Sequence, residues 1–538
     1  MRVVVVGAGI GGLAAAVALA ARGADVTVLE QAEAPGGKMR DLPTAAGPAA
    51  AGPTVFTMKP VFDALCAAAD ARLEDWVTLH REHLLARHYW LEEAGGGALD
   101  LTGDLGENVA AVRALSGAQE AARFERFCAR ARRLYDSFEA PMMRAPAPDL
   151  AGIARAALRG GAALAPYLTP WATLARRLSA ELRDPRLRQL FGRYATYVGG
   201  SPFKAPAVLA LIWEAEARGV WRIEGGMSAL ARGLAGLAEA RGARFTFGCA
   251  VEAIETNGPR GAVTGVRLAD GAQAPADVVV FNGDPAALRA GLLGEAARRA
   301  VGPAAVGPRS LSAFVWSFAA RPEPIGGRDI SLAHHTVLFG ARQRDEFDAL
   351  AAGRIPTDPT LYICAQDRVA DRVNSAARPD GLERFEIIMN GPPRPAEDGR
   401  SPEAAQRERD ACAKITFETL SRHGLRFPPE PRPEPTALTT PSGFAARFPG
   451  SSGSLYGRSP HGLMASFLRP TARSRLPGLY LAGGGAHPGA GVPMAALSGA
   501  HAAETIWRDR TSRSAPRPTA TPGGISTGSA TTDAAPSR

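Results

Sequence analysis

The sequence predicts an α/β protein, in which an open parallel sheet of the Rossmann type is interleaved with a mixed α+β domain. Two observations predict this fold class. The chain begins with a strand, a glycine-rich turn and a helix, in VVVVGAGIGGLAAAVALA, and the same order returns near its other end, in GLYLAGGGAHPGAGVPMAAL. Together the two segments predict a bound dinucleotide more specifically than either motif does alone.

The N-terminal segment supplies the parts of a phosphate-binding turn. Four consecutive valines form the expected buried parallel strand. Gly7, Gly9 and Gly12 then fit G-x-G-x-x-G, which permits a tight turn, close approach to a diphosphate and close packing of the next helix. A second strand, predicted over residues 25–29, ends at Glu30, where a carboxylate suits a ribose hydroxyl.

The segment after Glu30 favours FAD over NAD. A glycine doublet that includes Gly37 lets backbone approach phosphate, and Lys38 and Arg40 offer positive charge to it. A surface turn with solvated charges is the alternative interpretation. The spacing from Glu30 resembles the FAD-binding amine oxidase and desaturase superfamily, so we predict FAD as the cofactor in a fold of the glutathione-reductase or amine-oxidase type.

Composition narrows the class of protein. A chain of 538 residues is too long to fold around one simple hydrophobic core, so we predict two intertwined domains. A net charge of +9 can favour anionic lipid or nucleic acid, but nothing resembles a nucleic-acid-binding module, so we expect no nucleic-acid partner. Five scattered cysteines indicate a reducing cytoplasm. With a strand beginning at residue 2 and no apolar run of about 20 residues, we expect neither a signal peptide nor a transmembrane helix.

The pattern of predicted helices and strands and the local composition divide the chain into six stretches. The predicted FAD-binding domain is made of residues 1–75, 216–300 and 466–508. Residues 76–215 are mostly helical in pattern and are assigned to substrate binding and membrane docking. Residues 301–465 are predicted to form a strand-rich substrate domain, and residues 509–538, rich in Ser, Thr, Pro and Gly, a disordered tail.

Residues 151–190 combine basic and aromatic side chains. The arginines are Arg155, Arg159, Arg176, Arg177, Arg183, Arg186 and Arg188. With Tyr167 and Trp171 among them, the segment fits a helix that lies in a membrane surface. An amphipathic helix packed on its own domain fits equally well.

The histidines give less specific evidence of function than the glycine motifs do. His334 and His335 are adjacent in a predicted strand, where neighbouring side chains point to opposite faces, so we expect no joint chelation and no metal site. His487 lies in the C-terminal glycine loop, where it either touches the flavin or substrate or braces the loop. In the same loop, glycine backbone can lie against a flat ring, and a helix beginning near Met494 can stabilise negative charge on a reduced flavin.

The loop sequence GGGAHPGAGVPM resembles the bacterial carotenoid desaturases, phytoene desaturase and its relatives, and the resemblance extends to about residue 508. Several stretches resemble the hydroxyneurosporene or methoxyneurosporene branch, the 1-hydroxycarotenoid 3,4-desaturases. They are GPTVFTM at 52–58, the segment 193–221, HHTVLFG at 334–340 and LYICAQDR at 361–368. One departure is Ala50, which stands where relatives commonly carry an acid, so the role of that acid is in doubt here.

Motifs and resemblance together imply a set of FAD contacts. They are Gly7, Gly9, Gly11, Gly12, Glu30, Gly37, Lys38, Arg40, Thr54, Val55, Val251, Asn282, Gly483, Gly484, Pro493 and Met494. No catalytic residue is assigned, because His334, His335 and His487 are candidate bases by residue type alone. The resemblance places Val251 against the adenine through its backbone.

The resemblance implies FAD-dependent 3,4-desaturation of an acyclic 1-hydroxy or 1-methoxy carotenoid, in carotenoid biosynthesis of the spheroidene or spirilloxanthin type. It also implies a cytoplasmic protein that docks peripherally on the inner or photosynthetic membrane, because the substrate resides in lipid. The alternatives are a phytoene-type desaturase, a non-enzymatic escort of prenyl chains with the same fold, and an amine or porphyrinogen oxidase. The sequence leaves the exact carotenoid, the number of steps, the electron acceptor and the oligomeric state open.

Overall fold

The structure is a computed structural model that covers most of the chain. The described residues are 1–258, 261–327, 330–369, 372–373, 381–396 and 401–514. The α-helices are Ile10–Ala20, Lys59–Ala67, Leu105–Ser116, Ala118–Phe138, Leu150–Leu168, Leu174–Glu181, Pro185–Arg193, Leu211–Ala217, Met227–Ala240, Pro285–Ala290, Glu295–Arg298, Pro303–Val306, Gln343–Ala351, Pro402–Arg422, Pro441–Arg447 and Val492–Ser514. None of the helices described is long and apolar enough to cross a membrane.

The valine strand at the start of the chain stands at the centre of a five-stranded parallel sheet. In spatial order the strands are Leu479–Leu481, Val278–Phe281, Arg2–Val6, Asp25–Leu29 and Arg244–Thr246. Parallel strands are covered on both faces, which explains their nearly continuous apolar sequences. The sheet therefore gathers segments from three distant parts of the chain.

Helices from both ends of the chain cover this sheet. Helix Ile10–Ala20 packs against helix Val492–Ser514 and against helix Met227–Ala240. A Cβ atom added to Gly499 would lie 2.0 Å from the carbonyl oxygen of Gly11, so the two terminal helices touch through their backbones. The first and last helices thus form one packed unit.

A separate seven-stranded sheet forms the second domain. In spatial order its strands are Leu438–Thr439, Ser312–Ala320, Glu383–Gly391, Leu361–Ala365, His335–Phe339, Leu84–Trp90 and Ala98–Thr102. Strand His335–Phe339 pairs in parallel with Leu84–Trp90, and the other pairs are antiparallel. The smaller sheets are Val251–Thr256 with Val263–Leu268 and Gln273–Pro275, Leu79–Glu82 with Val220–Ile223, Asp41–Leu42 with Ala49–Ala50, Glu323–Pro324 with Leu425–Arg426, and Arg368–Val369 with Arg372–Val373.

Residues 76–215 are mostly helical, as their pattern indicated, but the α-helices begin only at Leu105, because residues 79–102 contain three strands. Strand Leu84–Trp90 is largely buried and its sequence does not alternate cleanly between apolar and polar residues, so it shows no clear strand period. The GPTVFTM stretch forms no regular strand and has one isolated bridge, between Phe56 and Trp221.

The predicted start of the disordered tail, at residue 509, was wrong. Helix Val492–Ser514 continues through residues 509–514. The rest of the predicted tail, residues 515–538, lies outside the described residues. Which stretches act as separate functional domains stays a prediction.

The helices between Leu105 and Ala217 cover one face of the seven-stranded sheet. Their core is aromatic: Phe191 contacts Phe124, Phe127 and Trp213, with ring centroids 4.8–5.7 Å apart. Val337 and Tyr362 of the sheet belong to the same cluster. The layer and the sheet therefore enclose a common interior.

Candidate functional site

The carboxyl ends of the parallel strands bring the two glycine motifs together. The side-chain amide of Asn282 donates to the carbonyl oxygen of Gly7 at 3.0 Å. A Cβ atom on Gly11 would lie 2.6 Å from the amide nitrogen of Gly483 and 2.7 Å from Oδ1 of Asn282. The N-terminal and C-terminal turns therefore meet around Asn282 with no room for a side chain between them.

Gly12 has a packing role. A Cβ atom on Gly12 would lie 2.1 Å from the carbonyl oxygen of Gly7. Gly7 itself has a φ of +98°, in the left-handed region that favours glycine. Gly12 thus closes the turn from behind, as expected of the third glycine in the motif.

Glu30 is buried at the end of its strand, with 6% of its surface exposed. Its Oε2 accepts a hydrogen bond from the backbone N–H of Ala8 at 2.6 Å, and Oε1 accepts one from Ala32 at 2.9 Å. A carboxylate has about four lone-pair positions, so each oxygen keeps one for a further donor. The carboxylate is therefore fixed in place before any ligand binds.

A cavity of about 580 Å³ lies beside these groups. All of the predicted cofactor-binding residues line it except Gly12, Arg40 and Met494. Helix Val492–Ser514 begins at its wall, so the helix N-terminus faces the cavity. The structure brings the predicted residues to one place, and their individual contacts with a cofactor stay predictions.

The two cations expected to contact phosphate have protein partners. Lys38 Nζ donates to the carbonyl oxygen of Leu455 at 2.5 Å and lies 5.3 Å from the centre of the Phe448 ring. Burial lowers the pKa of Lys38 to about 8. Arg40 donates to Oγ1 of Thr439 at 2.6 Å, and burial lowers its pKa to about 10. Both side chains thus connect the FAD-binding domain with the substrate domain.

His487 braces its loop. Its Nε2 donates to the carbonyl oxygen of Ala145 at 2.9 Å, and its ring stacks on His501 with centroids 6.1 Å apart. Burial lowers its pKa to about 4. Because His487 does not line the cavity, the alternative in which it touches the flavin or substrate is not supported.

The expectation that His334 and His335 lie apart was wrong. The strand begins at His335, so His334 is outside it, and the two ring centres are 4.5 Å apart. One ligand atom from each histidine and Sγ of Cys364 lie within 4.8 Å of one another. His334 donates through Nδ1 to the carbonyl oxygen of Arg368 at 3.0 Å. The absence of a metal site stays a prediction.

The cavity also has a side formed by the substrate domain, which sequence reasoning missed. Its apolar lining includes Val315, Phe347, Ile388 and Phe444. Its polar lining includes Arg193, Tyr197, Glu346, Tyr362 and Asn390. Arg193, Tyr197 and Tyr362 belong to stretches singled out by their resemblance to the hydroxycarotenoid branch, which is the signal that could have found them.

Glu346 is the fully buried carboxyl group of this side. Oε1 accepts from the Asn390 side chain at 2.9 Å, and Oε2 accepts from the Thr360 hydroxyl at 2.9 Å. Burial raises the pKa of Glu346. The cavity therefore joins a nucleotide side rich in glycine to an apolar side with a few placed polar groups.

Comparison with known proteins identifies the family. The model of a family described as flavin-containing amine oxidoreductase matches residues 10–309. The chain belongs to this flavin-containing amine oxidoreductase family. A hydroxyneurosporene desaturase of Cereibacter sphaeroides is 56% identical over 514 residues, which cover 95% of this chain and 99% of that protein. A lycopene-forming phytoene desaturase of Paracoccus sp. is 30% identical over 516 residues, which cover 94% and 97%.

The fold of this flavin-containing amine oxidoreductase also occurs among solved structures. An oxidoreductase from Methanosarcina mazei matches with a TM-score of 0.59 and 16% identity, covering 94% of this chain and 100% of that one. The predicted fold class and the family resemblance are confirmed. Family membership makes the chain a flavin-dependent oxidoreductase, and the prediction of FAD is confirmed.

The residues that line the cavity are suited to bind FAD as the flavin cofactor of the family. A Cβ atom on Gly9 would lie 2.9 Å from Nδ2 of Asn282, so backbone and not side chain faces the space beside the turn. The N-terminal N–H groups of helix Ile10–Ala20 suit a diphosphate there, and Glu30 keeps lone pairs for ribose hydroxyls. Bound FAD supplies two-electron redox chemistry, which amino-acid side chains lack.

Proposed function

We propose that this protein is an FAD-dependent desaturase that forms the 3,4 double bond of an acyclic carotenoid carrying a hydroxyl or methoxy group on C1. The observation that carries the proposal is the 56% identity with a hydroxyneurosporene desaturase along 95% of this chain, against 30% with a phytoene desaturase. The cavity supports it, because one space joins the nucleotide turns to an apolar wall.

In the proposed reaction one hydrogen leaves C3 and one leaves C4. Bound FAD would accept one of them as a hydride, with its electron pair, and the other would depart as a proton. The apolar wall holds the polyene by dispersion and keeps water from the reacting carbons. The backbone N–H groups at the start of helix Val492–Ser514 would stabilise negative charge on the cofactor.

The protein takes its substrate from a lipid bilayer through residues 150–171. Leu150, Leu158 and Trp171 are 66%, 81% and 68% exposed, an unusual exposure for side chains of this kind. Arg155 is also exposed, at the same surface. Apolar side chains that enter the bilayer beside cations that contact anionic headgroups are typical of peripheral docking.

Several side chains of residues 151–190 make contacts within the protein, and we leave them out of the proposed docking surface. Tyr167 is buried, and its hydroxyl donates to Glu181 at 2.6 Å. Arg177 donates to the same carboxylate at 2.7 Å, and Arg186 pairs with Asp184. These side chains hold the helices together, so the docking surface is assigned to Leu150, Leu158, Trp171 and the arginines between them.

The experiment is turnover of 1-hydroxyneurosporene and of phytoene in anionic liposomes by the purified, FAD-loaded protein. The expected product of 1-hydroxyneurosporene carries one more conjugated double bond, and its absorption lies at longer wavelength. Phytoene is expected to remain unchanged. Conversion of phytoene, with the hydroxylated carotenoid left intact, would establish the phytoene-type alternative instead.

A further inference from the structure

A buried chain of hydrogen bonds ends at the wall of the cavity. The hydroxyl groups of Thr54 and Tyr362 lie 2.6 Å apart, and the Tyr362 hydroxyl lies 2.6 Å from Nδ1 of His335. Thr54 and Tyr362 line the cavity, whereas His335 stands behind them. This chain of hydrogen bonds therefore presents the hydroxyl groups of Thr54 and Tyr362 to a ligand and holds both in fixed positions.

All members of this chain are held uncharged. Burial keeps the pKa of Tyr362 well above its ordinary value, so the phenol retains its proton. Burial, with His334 and Arg193 nearby, keeps the pKa of His335 well below its ordinary value, so the imidazole is neutral. Neutral groups that both donate and accept suit a neutral hydroxyl ligand better than an ion.

The proposed reaction restricts where a C1 hydroxyl lies. Its oxygen is three bonds from C3, one of the two carbons that lose hydrogen. The group that binds it must therefore stand next to the nucleotide side of the cavity and not at the far end of a long channel. This step of the argument rests on the proposed function.

Thr54 meets this restriction through a series of backbone contacts. A Cβ atom on Gly37 would lie 3.3 Å from Cα of Gly9, and one on Gly52 would lie 1.9 Å from the carbonyl oxygen of Lys38. Gly52 is two residues from Thr54, and its N–H donates to Glu386 at 2.7 Å. The phosphate-binding turn, the GGK turn and the Thr54 loop thus pack directly on one another.

Another polar group of the cavity, the carboxylate of Glu346, is anchored elsewhere. Glu346 already accepts hydrogen bonds at both of its oxygens. Gln343, on the same helix, donates to the carbonyl oxygen of Gln189 at 3.0 Å, in the helical layer. The group therefore belongs to the side of the cavity formed by the helical layer and not to the phosphate-binding turn.

We infer that Thr54 and Tyr362 form the subsite that receives the terminal hydroxyl of the substrate, and that His335 positions Tyr362. The guanidinium carbon of Arg193 lies 5.4 Å from the Tyr362 ring centre and the His335 ring centre lies 5.8 Å from it, so two neighbours hold the ring. A polyene without the hydroxyl leaves these groups unpaired in an apolar cavity. The subsite therefore selects for the hydroxylated end.

The test compares Tyr362→Phe with the parent protein on 1-hydroxyneurosporene and on neurosporene, which lacks the hydroxyl. The variant keeps the ring and removes the hydroxyl. For 1-hydroxyneurosporene, kcat/KM is expected to fall roughly 5- to 150-fold, the loss for an unpaired buried polar group. For neurosporene it is expected to stay level or rise. Glu346→Gln, which changes another polar group of the cavity at constant size, is expected to leave the ratio of kcat/KM between the two substrates unchanged.

Binding provides a second measurement that does not depend on turnover. Quenching of tryptophan fluorescence by each carotenoid, measured with the FAD-loaded protein in detergent micelles, gives the preference of the site directly. Thr54→Val, checked for its FAD content, is expected to lose the same preference as Tyr362→Phe. A parent protein that converts neither carotenoid contradicts the proposed function. A parent that prefers the hydroxylated carotenoid, with Tyr362→Phe keeping that preference or Glu346→Gln abolishing it, overturns the assigned subsite alone.

Discussion

The carboxylate of Glu30 and the backbone N–H of Ala8 are joined by a hydrogen bond of 2.6 Å, which ties the end of the second strand to the glycine turn. The other oxygen of Glu30 accepts from Ala32. The residue predicted to bind ribose is thus also part of the framework of the turn. Its loss is therefore expected to reduce the stability of the fold as well as the affinity for FAD.

Glu30→Ala is expected to weaken FAD binding roughly 10- to 150-fold, the value of a hydrogen bond to a charged group. It is also expected to lower the Tm of the apoprotein, because the buried N–H group of Ala8 and the part-buried N–H group of Ala32 lose their acceptor. FAD titration and thermal unfolding of the apoprotein measure the two effects. Glu33→Ala, an exposed carboxylate three residues later, is the control. Unchanged FAD affinity in Glu30→Ala would show that the carboxylate faces away from the ribose.

Gly11→Ala is expected to abolish retention of FAD. The added methyl group would lie 2.6 Å from the amide nitrogen of Gly483 and would push the two glycine turns apart. Gly103→Ala is the matched control, because nothing lies within 4 Å of the added atom and the glycine φ is not in the left-handed region. The flavin absorbance of each purified protein is the measurement, and equal flavin content in both variants would contradict the close approach.

FAD is expected to be bound without a covalent link. Among the cysteines, all of which the structure describes, Cys249 lines the cavity. Burial raises its pKa, and a neutral thiol is a poor nucleophile. Acid precipitation should leave the flavin in the supernatant, and Cys249→Ala should release the same amount. Yellow colour that stays with the precipitate of the parent but not of the variant would identify a covalent bond.

Membrane binding is expected to depend on the exposed apolar side chains of residues 150–171. Replacing Leu158 and Trp171 together with serine should lower flotation with anionic liposomes by about 10-fold or more, since burial of each side chain in lipid is worth roughly 1.5–3 kcal/mol. Val369→Ser, another exposed apolar side chain, is the control. Flotation equal to that of the parent would mean that these helices dock on protein and not on lipid.

The arginines of this surface provide a separate test. Arg155 and Arg159 of this surface are exposed, as is Arg176, which follows Trp171 in the chain, whereas Arg177 holds Glu181 and should be left intact. Neutralising the three exposed arginines should reduce binding to anionic liposomes and leave binding to neutral ones unchanged. An equal loss on both kinds of liposome would indicate misfolding of the segment.

His88 is expected to make stability depend on pH. Its ring is buried, Nδ1 donates to the carbonyl oxygen of Leu99 at 3.0 Å, and burial lowers its pKa to about 3 from an ordinary value of 6.5. Between these values the unfolded chain binds a proton that the folded protein does not, so lowering the pH favours unfolding by about 1.4 kcal/mol per unit.

His88→Phe removes that dependence and keeps the ring stacked on Phe339. At pH 7 the variant should be less stable than the parent, because the Leu99 carbonyl loses its donor. As the pH falls from 6.5 towards 5, the difference in Tm should narrow. His83, whose side chain is exposed, provides the control substitution. A difference in Tm that is constant with pH would mean that His88 is protonated in the folded protein.

Local sequence was enough to predict the nucleotide half of the site. The strand, turn and helix at residues 3–20 are determined by residues that are close to one another in sequence. The spacing of the glycines also indicates the backbone conformation of the turn directly. Asn282 was predicted from its place after a strand, and the structure puts it between the two glycine turns. For these residues, position in sequence and position in space are closely linked.

The substrate half depends on contacts between distant residues. The position of strand Leu84–Trp90 is determined by its pairing with strand His335–Phe339. Such a pairing leaves no periodic pattern of apolar residues in the local sequence. Thr54 and Tyr362 meet across 308 positions of the chain. The error about His334 has a smaller cause, since a strand that begins one residue later removes the alternation on which the argument depended.

The contact between the first and last helices has a consequence for how the protein is made. Gly11 leaves the ribosome early, whereas Pro493, which lines the same cavity, is added about 480 residues later. At about 5–20 residues per second this interval lasts roughly 25 to 100 s. Throughout it the N-terminal turn lacks the C-terminal part of the cavity wall, so we expect the protein to acquire its flavin only after the C-terminal turn has been synthesised. A chain released before residue 479 lacks the strand that leads into this turn and is expected to yield no flavoprotein.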